Sequence, residues 1–415
     1  MRKDWLKALL IALCAVLFIT RTNAQETALM DCSASVQHQS SLDSNAFASL
    51  ITCGPGNEFY TTFGHTALRI CDTSRGIDYA YNYGMFSFNE SHFYLKFAKG
   101  YLHYFLGRGS FKSFMMDYAF EGRWVQEQKL KLTFQEVNKL YQMLEENHKQ
   151  ENKYYMYDYF SDNCATRVRD MIDSIAIQRG ISEVSPKTHF TDSHSFRSTM
   201  YEYTQPNLQW WQFGIDLLLG ARVDRPITEW QTMFAPNALM TIADSGMLGV
   251  SCEPARQLLR EDKEPLQKSF SPALLFWLVG ALVLILDFIS MLLRKRAYNK
   301  GTGYRSSFRL KWLDGILFGI VGLLGVLLVF MWFGTDHYWT KNNWNLLWAN
   351  PLFLVLLFRL RKSNTITAII LLLCLLVAIT LGCTGVLPQH FNSAVLPICL
   401  LLFVRTLYRL EKKMT

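Results

Sequence analysis

Apolar residues follow two regimes along the chain. After Ser271 they come in long, nearly unbroken runs; before it they alternate or recur at helical spacing. Five apolar segments can be drawn in the second half, at about 272–293, 312–333, 345–360, 366–386 and 393–409. A helix needs roughly 20 residues to cross a bilayer. The first, second and fourth segments reach that length, and the third and fifth are shorter. The pattern predicts five membrane helices following an exported domain.

Within the exported part, 59–71 and 77–88 predict a strand pair joined through Thr73-Ser74-Arg75-Gly76. The first strand sets His65, Ala67 and Arg69 against Thr66, Leu68 and Ile70, and the second sets Asp78, Ala80 and Asn82 against Tyr79, Tyr81 and Tyr83. Residues 123–132 predict another strand. A helix should start after Thr133, because Glu136 three residues on completes a capping box, and Val137, Leu140, Tyr141 and Leu144 give it an apolar face. Tyr154 to Phe160 is aromatic and strand-like. Residues 185–265 are helical and loop-rich, which suits packing or a lid near the membrane.

Charge then fixes topology. The loop after the first apolar segment carries Arg294, Lys295, Arg296, Lys300, Arg305, Arg309 and Lys311. The third loop carries Arg359, Arg361 and Lys362, and the tail Arg405, Arg409, Lys412 and Lys413. The second loop has only Lys341, and the fourth has no Lys or Arg. Basic loops stay on the cytoplasmic side, so the exported domain lies outside and the C-terminus inside. The net charge of +8 therefore reports membrane topology, and no nucleic-acid partner is expected. Residues 1–24 resemble a secretory signal: Arg2, Lys3 and Lys7, then an apolar run from Ala8 to Thr20, then Thr22-Asn23-Ala24 as a cleavage site. The alternative is an uncleaved anchor; Cys14 lies inside the apolar run and does not suit lipidation. The domains expected are a signal at 1–24, a periplasmic domain at 25–270 and a membrane domain at 271–415.

Cleavage would leave Cys32, Cys53, Cys71, Cys164 and Cys252 exported, an odd number, so at least one thiol is left over. No pair has metal-ligand spacing, and no metal or cofactor is expected. Position singles out Cys164, in Ser161-Asp162-Asn163-Cys164-Ala165-Thr166-Arg167. Asp162 or Asn163 would cap a helix whose first turn holds the cysteine. There the helix dipole favours a thiolate, and unpaired backbone N–H groups could hold an oxyanion. Val168, Met171 and Ile175 put Cys164 on the buried face. His65, at the start of a strand after Gly64, is the best-placed base, and Asn82 on the neighbouring strand could orient its ring. A small core cysteine and a structural histidine are the plainer alternatives.

Phe63-Gly64-His65-Thr66-Ala67-Leu68-Arg69, Tyr81-Asn82-Tyr83-Gly84 and Asp162-Asn163-Cys164-Ala165-Thr166-Arg167 resemble the periplasmic domain of the Lnb-type bacterial lipoprotein N-acyltransferases. Thr335 to Pro351, with Asn345-Leu346-Leu347-Trp348, resembles that family's membrane domain. The resemblance implies an α+β fold: a circularly permuted papain-like (NlpC/P60-like) thiol domain, histidine before cysteine, followed by an all-α five-helix transmembrane domain in the bacterial inner membrane. It implies that Cys164 is the nucleophile and His65 its base, with Asn82 as third member. The substrates would be a membrane phospholipid donor and diacylglyceryl lipoprotein acceptors. A membrane-anchored thiol peptidase or amidase acting on wall peptides or proteins is the alternative, and a non-catalytic binding protein a third. In the outward second loop, His337 and Asn345 are candidate substrate contacts, against a plain interfacial belt of Trp and Tyr. Asp287, an intramembrane carboxylate, is expected to pair with a basic group of the first loop.

Overall fold

The computed structural model describes residues 42–58, 61–87, 92–181, 190–204, 207–262, 270–299, 311–357 and 361–414. The expected signal segment 1–24, Cys32 and residues 300–310 lie outside these residues.

The chain before Ser271 builds β1 (Phe47–Cys53), β2 (His65–Asp72), β3 (Ile77–Met85), α1 (Phe93–Lys99), β4 (His103–Ser110), α2 (Phe111–Phe120), β5 (Val125–Lys129), α3 (Phe134–His148), β6 (Tyr154–Met156) and α4 (Cys164–Gln178). Then follow β7 (Phe190–Ser195), α5 (Phe196–Thr204), α6 (Gln209–Leu218), β8 (Pro226–Thr228), α7 (Glu229–Thr232), α8 (Pro236–Asp244) and β9 (Arg256–Leu259). Seven strands form one antiparallel sheet in the order β6-β4-β3-β2-β1-β5-β9, while β7 and β8 pair separately. Period-two alternation divides the sheet's residues between two layers. Leu50, Leu68, Ile70, Tyr81 and Tyr83 pack against α3, α4 and α8. Ile51, Cys53, Ala67 and Ala80 face α2 on the other side.

Local chemistry sets the helix starts. The Thr133 hydroxyl accepts from Glu136 N while the Glu136 carboxylate accepts from Thr133 N, the reciprocal cap that opens α3. The strand-like stretch after Tyr154 is shorter than its sequence suggests. It leaves the sheet after Met156, because Asp158 and Asp162 exchange backbone hydrogen bonds and close a turn.

The second half contains α9 (Pro272–Asn299), α10 (Lys311–Phe333), α11 (Arg361–Val377) and α12 (Val395–Met414). Three helical stretches among the described residues are long and apolar enough to cross a membrane: 272–293, 312–333 and 365–382. They are the three of the five expected segments that reach full length; the other two, Trp344–Leu357 and Val395–Tyr408, are shorter. The third expected segment folds as two 3-10 stretches, Trp344–Leu347 and Pro351–Leu357. Pro351 lacks the N–H that would carry a helix through, and Asn345 is drawn to the other domain. The apolar part of α12 is short, 395–408.

The two halves share a polar seam. Asn343 Nδ2 donates to the carbonyls of Leu217 and Leu218, and Gln389 Nε2 donates to that of Leu219. Asn392 Nδ2 reaches Asp216, and the backbones of Trp339 and Asn342 accept from Gly220 and Ala221. All these membrane-side groups lie in the second and fourth loops, the two that are poor in basic residues.

Candidate active site

β2 begins abruptly. Gly64 has φ +78°, and a Cβ there would lie 2.6 Å from the Cys53 carbonyl, so only glycine turns the chain here. His65 follows. The β2–β3 ladder ends at Leu68–Tyr81, and beyond that pair the strands part. Asn82 lies past this point and brings Oδ1 to 3.2 Å from His65 Nε2. A carbonyl oxygen only accepts, so Nε2 carries the proton and Nδ1 is the basic nitrogen. Tyr118 of α2 stacks on the imidazole, ring centroids 6.5 Å apart and 17° from parallel. Arg123 lies over the Tyr118 ring at 4.5 Å.

Cys164 is the first residue of α4. Asn163 caps the helix: its Oδ1 accepts from Ala165 N and Thr166 N, both at 2.9 Å, and its Nδ2 donates to the carbonyls of Tyr159 and Phe234. Thr166 Oγ1 returns the favour by accepting from Asn163 N. The cysteine enters the gap between β2 and β3. Gly84, whose φ of +88° favours glycine, lies alongside it: a Cβ at that position would sit in ordinary contact, 3.6 Å from Cys164 Cβ. The backbone N–H groups of Thr66, Ala165 and Cys164 itself interact with the sulfur. The thiol therefore sits beside the residue that follows His65.

The electrostatics differ from the helix-dipole expectation. Burial pushes the Cys164 thiol up, and the N–H groups of Thr66 and Ala165 offset only part of this. Burial also takes His65 down to about 4, against the raising effect of Asn82 and with help from the Arg123 charge. The resting pair is a neutral thiol and a neutral imidazole. Two of the expected oxyanion donors, Ala165 N and Thr166 N, are taken by Asn163, and Cys164 N and Thr66 N are the other N–H groups at the sulfur.

Aromatic side chains wall the thiol. Tyr155, Tyr157, Tyr159 and Tyr203 all lie close enough to interact electrostatically with Cys164. Tyr104 stacks on Tyr157 at 4.3 Å, and Phe63 meets Tyr159 edge-on at 5.3 Å. Nothing in their spacing marks these rings in sequence as one wall, since they come from four separate segments. Cys53, Cys71 and Cys252 are buried free thiols.

The loop candidates lie elsewhere. Asn345 is buried, donates to the Asp216 carbonyl at 2.8 Å and accepts from Trp348 Nε1 at 2.9 Å. That placement is a strut between the halves. His337 is on the surface, its Nε2 3.1 Å from the Phe97 carbonyl. Asp287 pairs with Arg405 of the last helix, which also reaches Asp314 at 2.6 Å. Among the described residues its partner is thus on a neighbouring helix, where the first loop was expected to supply it.

An antiparallel sheet that meets a capped cysteine helix beside a histidine–asparagine pair, joined to apolar helices, defines a membrane-bound protein with a thiol site. Family comparison gives this class its identity. The model described as the Lnb N-terminal periplasmic domain matches residues 34–198, and that of the Lnb transmembrane domain matches 264–414. The chain belongs to the Lnb family, as a membrane protein with a periplasmic domain. No curated protein matched in a sequence search, and no solved structure matched either.

Proposed function

We propose that this chain is a lipoprotein N-acyltransferase working by covalent thiol catalysis. His65 Nδ1 takes the Cys164 proton as the sulfur attacks an ester carbonyl of a phospholipid. Cys164 N and Thr66 N hold the oxyanion. The ester C–O bond breaks, the proton passes from His65 to the departing lysophospholipid hydroxyl, and the acyl group remains on Cys164 as a thioester. The α-amine of a lipoprotein's diacylglyceryl-cysteine then attacks that carbonyl. His65 takes a proton from the amine, the C–S bond breaks, and the thiolate is reprotonated as the amide forms. Because both pair members rest neutral, proton transfer accompanies attack.

The observation that carries this reading is the meeting of Cys164 with the His65 strand, in a domain bolted to a membrane domain. Both substrates are lipids, and such a site needs to stay at the bilayer. The setting that goes with it is the inner membrane, with the catalytic domain in the periplasm and the segments divided at 24 and 270. The test is mass spectrometry of lipoprotein N-terminal peptides from cells with wild type or Cys164→Ala at matched abundance. Loss of the N-linked acyl chain in the variant is expected. Fully acylated lipoproteins in the variant, with no other acyltransferase present, would overturn the proposal and favour a thiol peptidase.

A further inference from the structure

Helix α1 reads Phe93-Tyr94-Leu95-Lys96-Phe97-Ala98-Lys99. It leaves Leu95 55% and Phe97 50% exposed, and Tyr101 just past its end is 47% exposed. Two positions apart, Leu95 and Phe97 lie on opposite sides of this short helix, so it projects with apolar side chains open on both sides, and such a projection marks a place that something covers. The helix's attachments say what. Asp336 N donates to the Lys99 carbonyl at 3.0 Å, His337 Nε2 donates to the Phe97 carbonyl at 3.1 Å, and Tyr101 hydrogen-bonds Asp336. The His337 ring lies 3.4 Å from where a Cβ would project at Gly100, whose φ is +82°. These partners sit three and four residues beyond Phe333, the last residue of α10 and itself 75% exposed. So α1 is fastened at the outer end of a span, the depth of the lipid headgroups.

We propose that α1 is an interfacial helix that sinks Leu95 and Phe97 into the outer leaflet of the membrane its own chain crosses. Lys96 and Lys99 suit the phosphates at that depth. The helix also leads inward. Tyr101 is two residues before β4, Tyr104 of β4 stacks on Tyr157, and the Tyr157 ring and Cys164 Cβ both lie 3.6 Å from the Cβ position of Gly84. The strand that follows α1 thus connects through Tyr104 and Tyr157 to the thiol, and α1 is the edge over which a phospholipid donor enters. The entry role rests on the acyl-transfer reading; the immersion of α1 does not.

The experiment uses the full chain reconstituted in phospholipid vesicles, with a nitroxide at Leu95→Cys or at Phe97→Cys, and Lys139→Cys on α3 as an aqueous reference. Collision of the label with oxygen, which concentrates in lipid, is compared with collision with a water-soluble nickel chelate, after subtracting signal from the labelled unsubstituted chain. Oxygen-dominated collision at both α1 positions, with nickel dominating at Lys139→Cys, is expected. Nickel-dominated collision at either α1 position overturns the proposal. The readout needs no turnover, so an inactive chain with an immersed α1 would sink the acyl-transfer reading alone, and an active chain with an aqueous α1 would sink this one alone.

Discussion

Trp339 Nε1 donates to both carboxylate oxygens of Asp158, each at 2.8 Å. The tryptophan belongs to a loop of the membrane half, and the aspartate lies six residues before Cys164. Its indole packs edge-on against Phe160 at 5.1 Å and Phe196 at 5.0 Å. The same carboxylate accepts from Phe160 N, Ser161 N and the Ser161 hydroxyl. A single side chain from the membrane half therefore braces the turn that delivers the cysteine. Trp339→Phe keeps most of the ring and removes the N–H. Hydrogen bonds to a charged group contribute about 1.5–3 kcal/mol. Under the proposed mechanism, thioester formation on Cys164 should slow by roughly tenfold, with KM for phospholipid little changed. Rapid-quench measurement of acyl-enzyme would check this; an unaltered rate would mean that the turn holds itself.

Arg197 anchors the seam. It is 2% exposed and binds Asp216 at 2.6 Å and Asp224 at 2.7 Å. Tyr201 and Asn392 also bind Asp216. Arg197→Met would strand two buried carboxylates, at a cost of roughly 3–5 kcal/mol. Thermal unfolding in detergent should show a large drop in midpoint. Adding Asp216→Asn and Asp224→Asn should restore much of it, since removing a whole buried charge cluster costs far less than breaking one. A variant that failed to recover would point to lost packing in place of unpaired charge.

The cap at Asn163 holds both the helix and Cys164 at its start. Asn163→Ala removes acceptors for two N–H groups and donors for two carbonyls. Cap loss costs about 1–2 kcal/mol, and the freed carbonyls of Tyr159 and Phe234 add to it. Asn163→Asp keeps the acceptors alone and should fall between the two. Chemical denaturation of the purified chain would rank the three proteins, and any other order would rule out the cap as the cause.

Much of this site was legible in sequence, for local reasons. Thr133 and Glu136 announce their capping box within four residues, and the Asn163 cap places Cys164 in the same way. Strand alternation put His65 and Asn82 on one face without any knowledge of the sheet. What escaped depends on distant contacts. β1 was not assigned, because its run from Ala46 to Ile51 is interrupted only by Ser49 and carries no alternation. β9 joins β5 only after the long detour through 185–252. The third apolar segment looked like a span because its composition is apolar. Asn345 and Pro351, which divert it, act through bonding partners 129 residues away and through a missing N–H. For Cys164 the sequence shows both the helix N-terminus and the buried face, but which of the two wins depends on how deeply the sheet and the surrounding tyrosines bury the thiol, and burial wins.

The pH dependence follows from His65. In the proposed mechanism it must be neutral to accept the Cys164 proton, and burial holds it at about 4 where an ordinary imidazole titrates near 6.5. The acid limb of the acylation rate should therefore have its midpoint near 4, leaving activity flat from pH 7 to about 5. Stability runs with the same sign. Between 6.5 and about 4 the unfolded chain binds a proton that the folded chain refuses, so this contribution is present above 6.5 and is lost as pH falls through that window. The neighbours give opposite signs. Arg123 lowers the value, so Arg123→Gln should move the limb upward, toward 6.5. Asn82 raises it, so Asn82→Ala should not move the limb upward, although it should slow acylation by freeing the ring. Rates of single-turnover acylation from pH 3.5 to 8 would separate these effects. An acid limb at 6.5 in the unsubstituted enzyme would mean that water reaches His65 and that the neutral resting pair is wrong.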